Sequence, residues 1–269
     1  MIGPTPLLDF FKRGEVERDV RLLAAQGGLA PRAYEQLAML IILVEDPDKE
    51  IRETAEETLT NLPLEALQTF LARSDIPIGM REFFADRGIF PDEIPTIEAE
   101  VEFEEPLLDT AAPVEEDEFG DLLAVGHDED RESSYQKLAK MGFTDRLRAA
   151  MKGTKEMRAI LIRDPNKMIS AAVMSSPKLT GQEVEAFSRM ATIPEDVLRA
   201  IGHNRAYLKN YNIVLGLTKN PKTPLGLSLN LMGRLNQRDM AQLSVDRNVP
   251  EALRIAARKK VVQATSGKG

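Results

Sequence analysis

Residues that could support catalysis are few and widely spaced in this chain of 269 residues. The two histidines, His127 and His203, have no partner at metal-ligand spacing, and the absence of cysteine excludes a thiolate nucleophile, a thiolate zinc site and a disulfide framework. The glycines of 226–234 lack the spacing of a phosphate-binding loop. Asp46 and Asp164 each precede a proline, and we interpret both as helix N-caps. We therefore expect no catalytic residue, no metal and no cofactor.

Basic residues instead recur in similar sequence contexts in the C-terminal half. Two junctions, "SSPKLT" (175–180) and "KNPKTP" (219–224), place lysines 44 positions apart, and a second kind of junction recurs at steps of about 40 and 44 residues. If these junctions belong to stacked repeats, equivalent positions line one face and can bind phosphates or carboxylates. The six candidate binding residues are Arg163, Lys178, His203, Arg205, Lys222 and Arg247.

Prolines divide this half of the chain into short helices. Pro221 pushes Asn220 out of the α region, so we expect a helix to end at Asn220. Pro224 has the same effect on Thr223, which predicts Thr223 as the next N-cap and Pro224 as the first helical residue. The predicted helices span 165–174, 180–190, 194–202, 205–216, 224–233, 237–245 and 249–262.

The N-terminal part has the same character. Helical periodicity predicts one helix within 46–63, and 62–88 is typical of two short helices separated at Pro77. One face of the first helix should carry Ile51, Ala55, Thr58, Leu59 and Leu62. Since no alternating strand pattern or hairpin turn is present, we predict an all-α fold.

A unit of roughly 42 residues with three short helices resembles HEAT- or armadillo-type repeats. The Asp-Pro entry, Ile51, Ala55 and Leu59 are similar to the second helix of a HEAT repeat, closed by Pro63. The resemblance implies an α-solenoid with a binding surface rather than a particular reaction. One HEAT-like enzyme class, the alkylpurine DNA glycosylases, relies on an aromatic-lined base site, and the absence of Trp argues against such a DNA-repair enzyme here.

Charge divides the chain into three segments. Residues 1–90 carry a net charge of −6, residues 91–130 carry −16 with no Lys or Arg, and residues 131–269 carry +14. An acidic, proline-rich segment cannot bury enough apolar surface to offset its ordering entropy. We therefore predict HEAT-like helical repeats in two domains, 1–90 and 131–262, joined by a disordered acidic linker at 91–130, with a flexible tail at 263–269.

The linker contains "EFGDLLAV" (118–125), whose leucines are either incidental or part of a short docking motif. The motif would fold on a partner or on the basic domain. Its apolar residues are Phe119, Leu122, Leu123 and Val125.

Two expectations about location and function follow from the sequence. The longest apolar run, 37–44, is too short to cross a bilayer, and the N-terminal residues lack a signal-peptide pattern, so we expect a cytoplasmic protein without membrane insertion. We expect a non-catalytic scaffold or adaptor that binds a protein partner and whose acidic linker can screen the basic face. The alternative is nucleic-acid binding through residues 131–269.

Overall fold

A computed structural model of the chain describes residues 6–29, 32–93, 106–108, 138 and 140–266. Within these residues the fold consists of fifteen α-helices without a strand, which confirms the all-α prediction. The helices are α1 (Pro6–Lys12), α2 (Arg18–Ala25), α3 (Ala33–Leu43), α4 (Lys49–Thr60), α5 (Leu64–Leu71), α6 (Ile78–Ala85), α7 (Phe143–Lys152), α8 (Lys155–Leu161), α9 (Lys167–Ser175), α10 (Gly181–Arg189), α11 (Glu195–His203), α12 (Tyr211–Lys219), α13 (Leu225–Met232), α14 (Gln237–Leu243) and α15 (Glu251–Ser266). None of these described helices combines the length and apolar character that crossing a membrane requires.

The chain divides into two compact units, and each is considered by itself. The first comprises Met1–Arg158 and Ser175–Lys178, and the second comprises Ala159–Met174 and Leu179–Gly269. The domain limits expected at positions 90, 130 and 262 remain predictions. Within the expected linker, the structure describes residues 91–93 and 106–108.

The first unit is built around α3. This helix packs against α1, α2 and α4, and its apolar side chains Leu37 and Leu40 are fully buried. The neighbouring face of α4 contributes Ile51 and Ala55, both 0% exposed. Thr58 and Leu59 are buried as well, which confirms these positions of the predicted face. Leu62 is also buried, but it lies beyond the end of α4 at Thr60, so its place on the helix was predicted wrongly.

Helix contacts in the second unit follow a regular order. Helix α10 packs on α12, α12 packs on α13, and α13 packs on α15, while α11 and α14 complete two consecutive sets of three helices. The first helices of the two sets begin at Gly181 and Leu225, 44 positions apart. Buried side chains from successive helices, among them Phe187, Leu217 and Leu253, fill the core. This order is compatible with a helical-repeat protein.

All seven helices predicted for the C-terminal half are present. The largest boundary difference concerns 205–216, where a 3-10 turn at Tyr207–Lys209 precedes α12. The side chain of Asn210 accepts the backbone N–H of Asn212 at 2.9 Å and so begins α12 later than expected. Helices α7 and α8, which begin the C-terminal half, were not predicted individually.

Candidate interaction surface

The junctions α3–α4, α8–α9, α11–α12 and α14–α15 each contain an Asx turn, in which a side-chain oxygen accepts the backbone N–H two residues later. The acceptors are Asp46, Asp164, Asn204 and Asp246, with N···O distances of 2.8, 2.8, 2.9 and 2.9 Å. Three of the four lie in the recurring junction type that begins near 163, 202 and 246. That junction type therefore has one hydrogen-bonding pattern that fixes its backbone.

At the two Asp-Pro junctions this Asx turn leads into a second one. Asp48 and Asn166 each accept the backbone N–H two residues further on at 2.9 Å. Asp48 is the N-cap of α4, and Asn166 directly precedes α9. The prediction that Asp46 and Asp164 are N-caps is therefore wrong by two residues. The proline in the middle of each turn carries no N–H, so it leaves no main-chain donor without a partner there.

Asn220 ends α12, as predicted, and also joins this end to the C-terminal end of α10. Its Nδ2 donates to the carbonyl oxygens of Ser188 at 2.9 Å and Met190 at 3.0 Å. Its Oδ1 accepts the N–H of Lys222 at 3.0 Å. Since Asn220 is only 4% exposed, these bonds satisfy an amide that water hardly reaches.

The helix that follows Asn220 begins at a different residue from the one predicted. Pro224 is the N-cap of α13 with an extended backbone (φ −49°, ψ 132°), and Leu225 is the first helical residue. Thr223 is buried, and its hydroxyl has no hydrogen-bond partner among the described residues. The prediction of Thr223 as N-cap and Pro224 as first helical residue is therefore wrong by one position.

The six candidate binding residues are all exposed. Arg205 and Arg247 each occupy the middle position of an Asx turn, whereas Arg163 and His203 directly precede one. The backbone of Lys222 is likewise held, by Asn220. These side chains extend from junctions whose main chain is fixed by local hydrogen bonds.

Lys178 belongs to the first unit and the other five residues to the second. The Lys178 ammonium donates to the Lys152 carbonyl at 3.4 Å, and its own carbonyl accepts a hydrogen bond from Arg158 at 3.2 Å. Arg158 is 4% exposed and also donates to the Gly153 carbonyl at 2.8 Å. The expectation that Lys178 and Lys222 point in the same direction remains a prediction.

Ion pairing separates the candidate residues from three other cations of the second unit. Three other cations are paired with acids, and the pairs are Lys167–Asp196 at 2.8 Å, Arg189–Glu185 at 2.6 Å and Arg199–Glu195 at 2.6 Å. The five candidate residues of this unit form no ion pair with the described part of the chain. Their charges are available to an external acid without breaking an internal pair.

An exposed tyrosine of the second unit has a structural role. The Tyr211 hydroxyl donates to the Asp239 carboxylate at 2.5 Å and accepts the N–H of Asn236 at 3.2 Å. Partial burial and the bond to Asp239 raise the pKa of Tyr211, so the phenol stays protonated. Asn236 caps α14, and Tyr211 thereby ties the start of α12 to the start of α14.

The predicted docking motif Phe119, Leu122, Leu123 and Val125 lies outside the described residues. His127 lies outside them as well, and His203 ends α11 with its Nδ1 2.7 Å from the Arg199 carbonyl oxygen. Within the described ranges, no three His, Asp or Glu side chains are placed to hold a metal ion together.

One contact of the acidic segment was not predicted. Gln36 on α3 forms hydrogen bonds with both the N–H and the carbonyl of Leu108. The sequence feature that could have indicated this contact is the apolar triplet Pro106-Leu107-Leu108 within an otherwise acidic stretch.

No protein-family model, curated protein sequence or solved structure matches the chain.

Proposed function

We propose that the chain is a HEAT-like α-helical-repeat protein that acts as a non-catalytic adaptor. In this proposal the exposed cations of the second unit bind an acidic segment of a protein partner. The observation that supports it is a combination of three features at five residues: exposure, fixed junction backbones and no ion pair with any described residue. These residues are Arg163, His203, Arg205, Lys222 and Arg247.

The physical chemistry of these positions favours binding through several weak contacts. Exposed ion pairs contribute about 0.2–1 kcal/mol each. Affinity therefore depends on how many cations engage together, and junctions with a fixed backbone lose less conformational entropy on binding. Because the cations are exposed, salt screens the interaction, and affinity should fall as ionic strength rises.

The test uses the full chain and a fluorescein-labelled polyglutamate peptide, with binding measured by fluorescence anisotropy. Replacing Arg205 and Arg247 with glutamine should weaken binding about 2- to 30-fold, the effect of losing two exposed contacts. The matched control replaces Arg189 and Arg199 with glutamine, because these cations are already paired within their helices. Equal losses in both double variants would refute the proposed role of the junction cations.

Nucleic-acid binding is the second candidate, because the same unpaired cations can contact phosphates. Repeating the binding measurement with duplex DNA in place of the polyglutamate peptide distinguishes the two candidate functions. If DNA is the ligand, the negative slope of log affinity against log salt should become less steep by about 0.9 for each phosphate contact removed. Tighter binding of DNA than of polyglutamate at equal salt, with this change of slope in the Arg205/Arg247 variant, would favour the second candidate.

A further inference from the structure

The acidic segment contacts the first unit through its main chain. The Gln36 side chain is 1% exposed. Its Nε2 donates to the carbonyl oxygen of Leu108, and its Oε1 accepts the Leu108 N–H at 3.1 Å. A side-chain amide carries one acceptor and two donor hydrogens, so it can pair with both main-chain groups of a single residue. Paired β-strands form the same two bonds between opposing residues.

The buried position of Gln36 on α3 means that its amide requires hydrogen-bond partners, which the peptide supplies. Three consecutive residues of α3, Glu35, Gln36 and Leu37, are buried, and successive helical residues point about 100° apart. Helices α1, α2 and α4 pack on α3, and the segment 106–108 adds a further contact at Gln36. A buried amide that loses its partners is costly, so this position favours a bound main chain.

The bound segment is suited to such recognition. Its three residues are each half-buried, and no helix includes them. Pro106 has a restricted φ, which reduces the conformational entropy that this segment can lose on binding. The two bonds to Leu108 involve only its main-chain atoms, so Gln36 recognises the backbone of one residue, while the apolar side chains of Leu107 and Leu108 can select the sequence.

We propose that Gln36 is the backbone-binding residue of a peptide site on the first unit, that its ligand is a Pro-Leu-Leu segment, and that residues 106–108 are its built-in occupant. The proposal deepens the adaptor function and rests on it, because it names the kind of partner segment that the first unit accepts. A partner must displace the built-in segment, whose effective concentration is on the order of millimolar for a peptide in the same chain.

The test measures binding of a labelled peptide with the sequence of residues 101–112 to the full chain. The site is first vacated by Leu108→Pro in the protein, which removes the N–H that Gln36 accepts. We expect the peptide to bind the vacated chain at least tenfold more tightly than the wild-type chain, because the built-in competitor is lost. Gln36→Leu in the vacated chain should then weaken binding at least tenfold.

A change in the peptide keeps the test independent of protein folding. N-methylation of the peptide's Leu108 nitrogen removes one hydrogen while retaining both leucine side chains, and it should weaken binding to the vacated chain at least tenfold. Equal binding of methylated and unmethylated peptides would overturn the proposal, as would no binding to the vacated chain at concentrations on the order of 1 mM. A peptide of residues 118–125 that binds as tightly as 101–112 would overturn the requirement for Pro-Leu-Leu.

The two proposals fail in distinguishable ways. The peptide assay depends on Gln36 in the first unit, whereas the polyglutamate assay depends on Arg205 and Arg247 in the second. Loss of the first result with the second intact refutes the peptide site alone. The reverse outcome refutes the role of the junction cations and leaves the peptide site standing.

Discussion

A close approach between α10 and α12 gives the sharpest test of the packing in the second unit. A Cβ atom added at Gly216 would lie 2.2 Å from Ser188 Oγ and 3.1 Å from Arg189 Cγ. Ordinary contact distances are about 3.5 Å, so the helices would have to separate by roughly 1 Å at this point. Ser188 is 0% exposed, and its hydroxyl donates to the Glu185 carbonyl at 2.7 Å, so it cannot rotate without losing this bond.

Gly216→Ala should therefore destabilise the protein although alanine favours helices. Helix propensity contributes about 1 kcal/mol in favour of alanine, whereas overpacking a buried contact costs about 1–3 kcal/mol. Loss of the Ser188 hydrogen bond would add about 1–3 kcal/mol. We expect a net loss of roughly 1–5 kcal/mol, which lowers the Tm by about 2–20 °C. Urea denaturation of the full chain, followed by circular dichroism, measures this loss.

Gly226→Ala is the matched control. Gly226 is also helical, in α13, but a Cβ there would meet no atom within 4 Å. This substitution should raise stability by about 0.4–1 kcal/mol, chiefly by restricting the unfolded chain. Adding Ser188→Ala to Gly216→Ala removes the closest clash, and the two changes should couple by about 1 kcal/mol. If Gly216→Ala instead stabilises the protein as Gly226→Ala does, the described approach of α10 and α12 is wrong.

Three further changes test other parts of the molecule. Asn220→Ala removes three hydrogen bonds and should lower the free energy of unfolding, measured in urea, by about 1–3 kcal/mol. The control Asn230→Ala, on the exposed side of α13, should lower it by under ~0.5 kcal/mol. Equal losses in the two variants would contradict the linking role of Asn220. Burial raises the pKa of Asp75, but the hydrogen bonds and charge of Arg73 lower it more, so its net pKa is depressed. The resulting stability is present above the unfolded pKa of ~4 and is lost as pH falls through the folded pKa. Asp75→Asn should therefore reduce stability at neutral pH and narrow its difference from wild type in acid, and a pH-independent difference would contradict this. Neutralising the four acids of 115–118 should strengthen polyglutamate binding at low salt if the acidic segment screens the cations, and unchanged affinity would exclude that screening.

The sequence predicts much of this fold because helix ends and buried helix faces depend largely on neighbouring residues. Pro221 ends a helix through steric effects on its immediate neighbour, and the spacing of Ile51, Ala55 and Leu59 defines a buried face without knowledge of the rest of the chain. Position-specific details depend on contacts that local rules do not contain. The hydrogen bonds from Asn220 to Ser188 and Met190 span 32 and 30 positions, and those between Gln36 and Leu108 span 72.

The same limit applies to the candidate interaction sites. Lysine and arginine spacing marks the basic junctions, but only the structure distinguishes cations with an internal acid, such as Arg189, from those without one, such as Arg205. Gln36 carries no signal in the sequence, since a lone glutamine in the apolar helix α3 is compatible with simple burial. Its two bonds to one residue of a distant segment reveal its chemistry.

The two proposed sites recognise different properties of a partner, and this difference can be measured. The junction cations respond to charge, so their contribution should decline as the Debye length falls from about 10 Å at 0.1 M salt to about 3 Å at 1 M. Gln36 binds main-chain groups while 1% exposed, so salt should affect its contribution little. A partner that carries both an acidic segment and a Pro-Leu-Leu segment should show affinity that falls with salt to a plateau. The Arg205/Arg247 double variant should lower the salt-dependent part, and Gln36→Leu should lower the plateau.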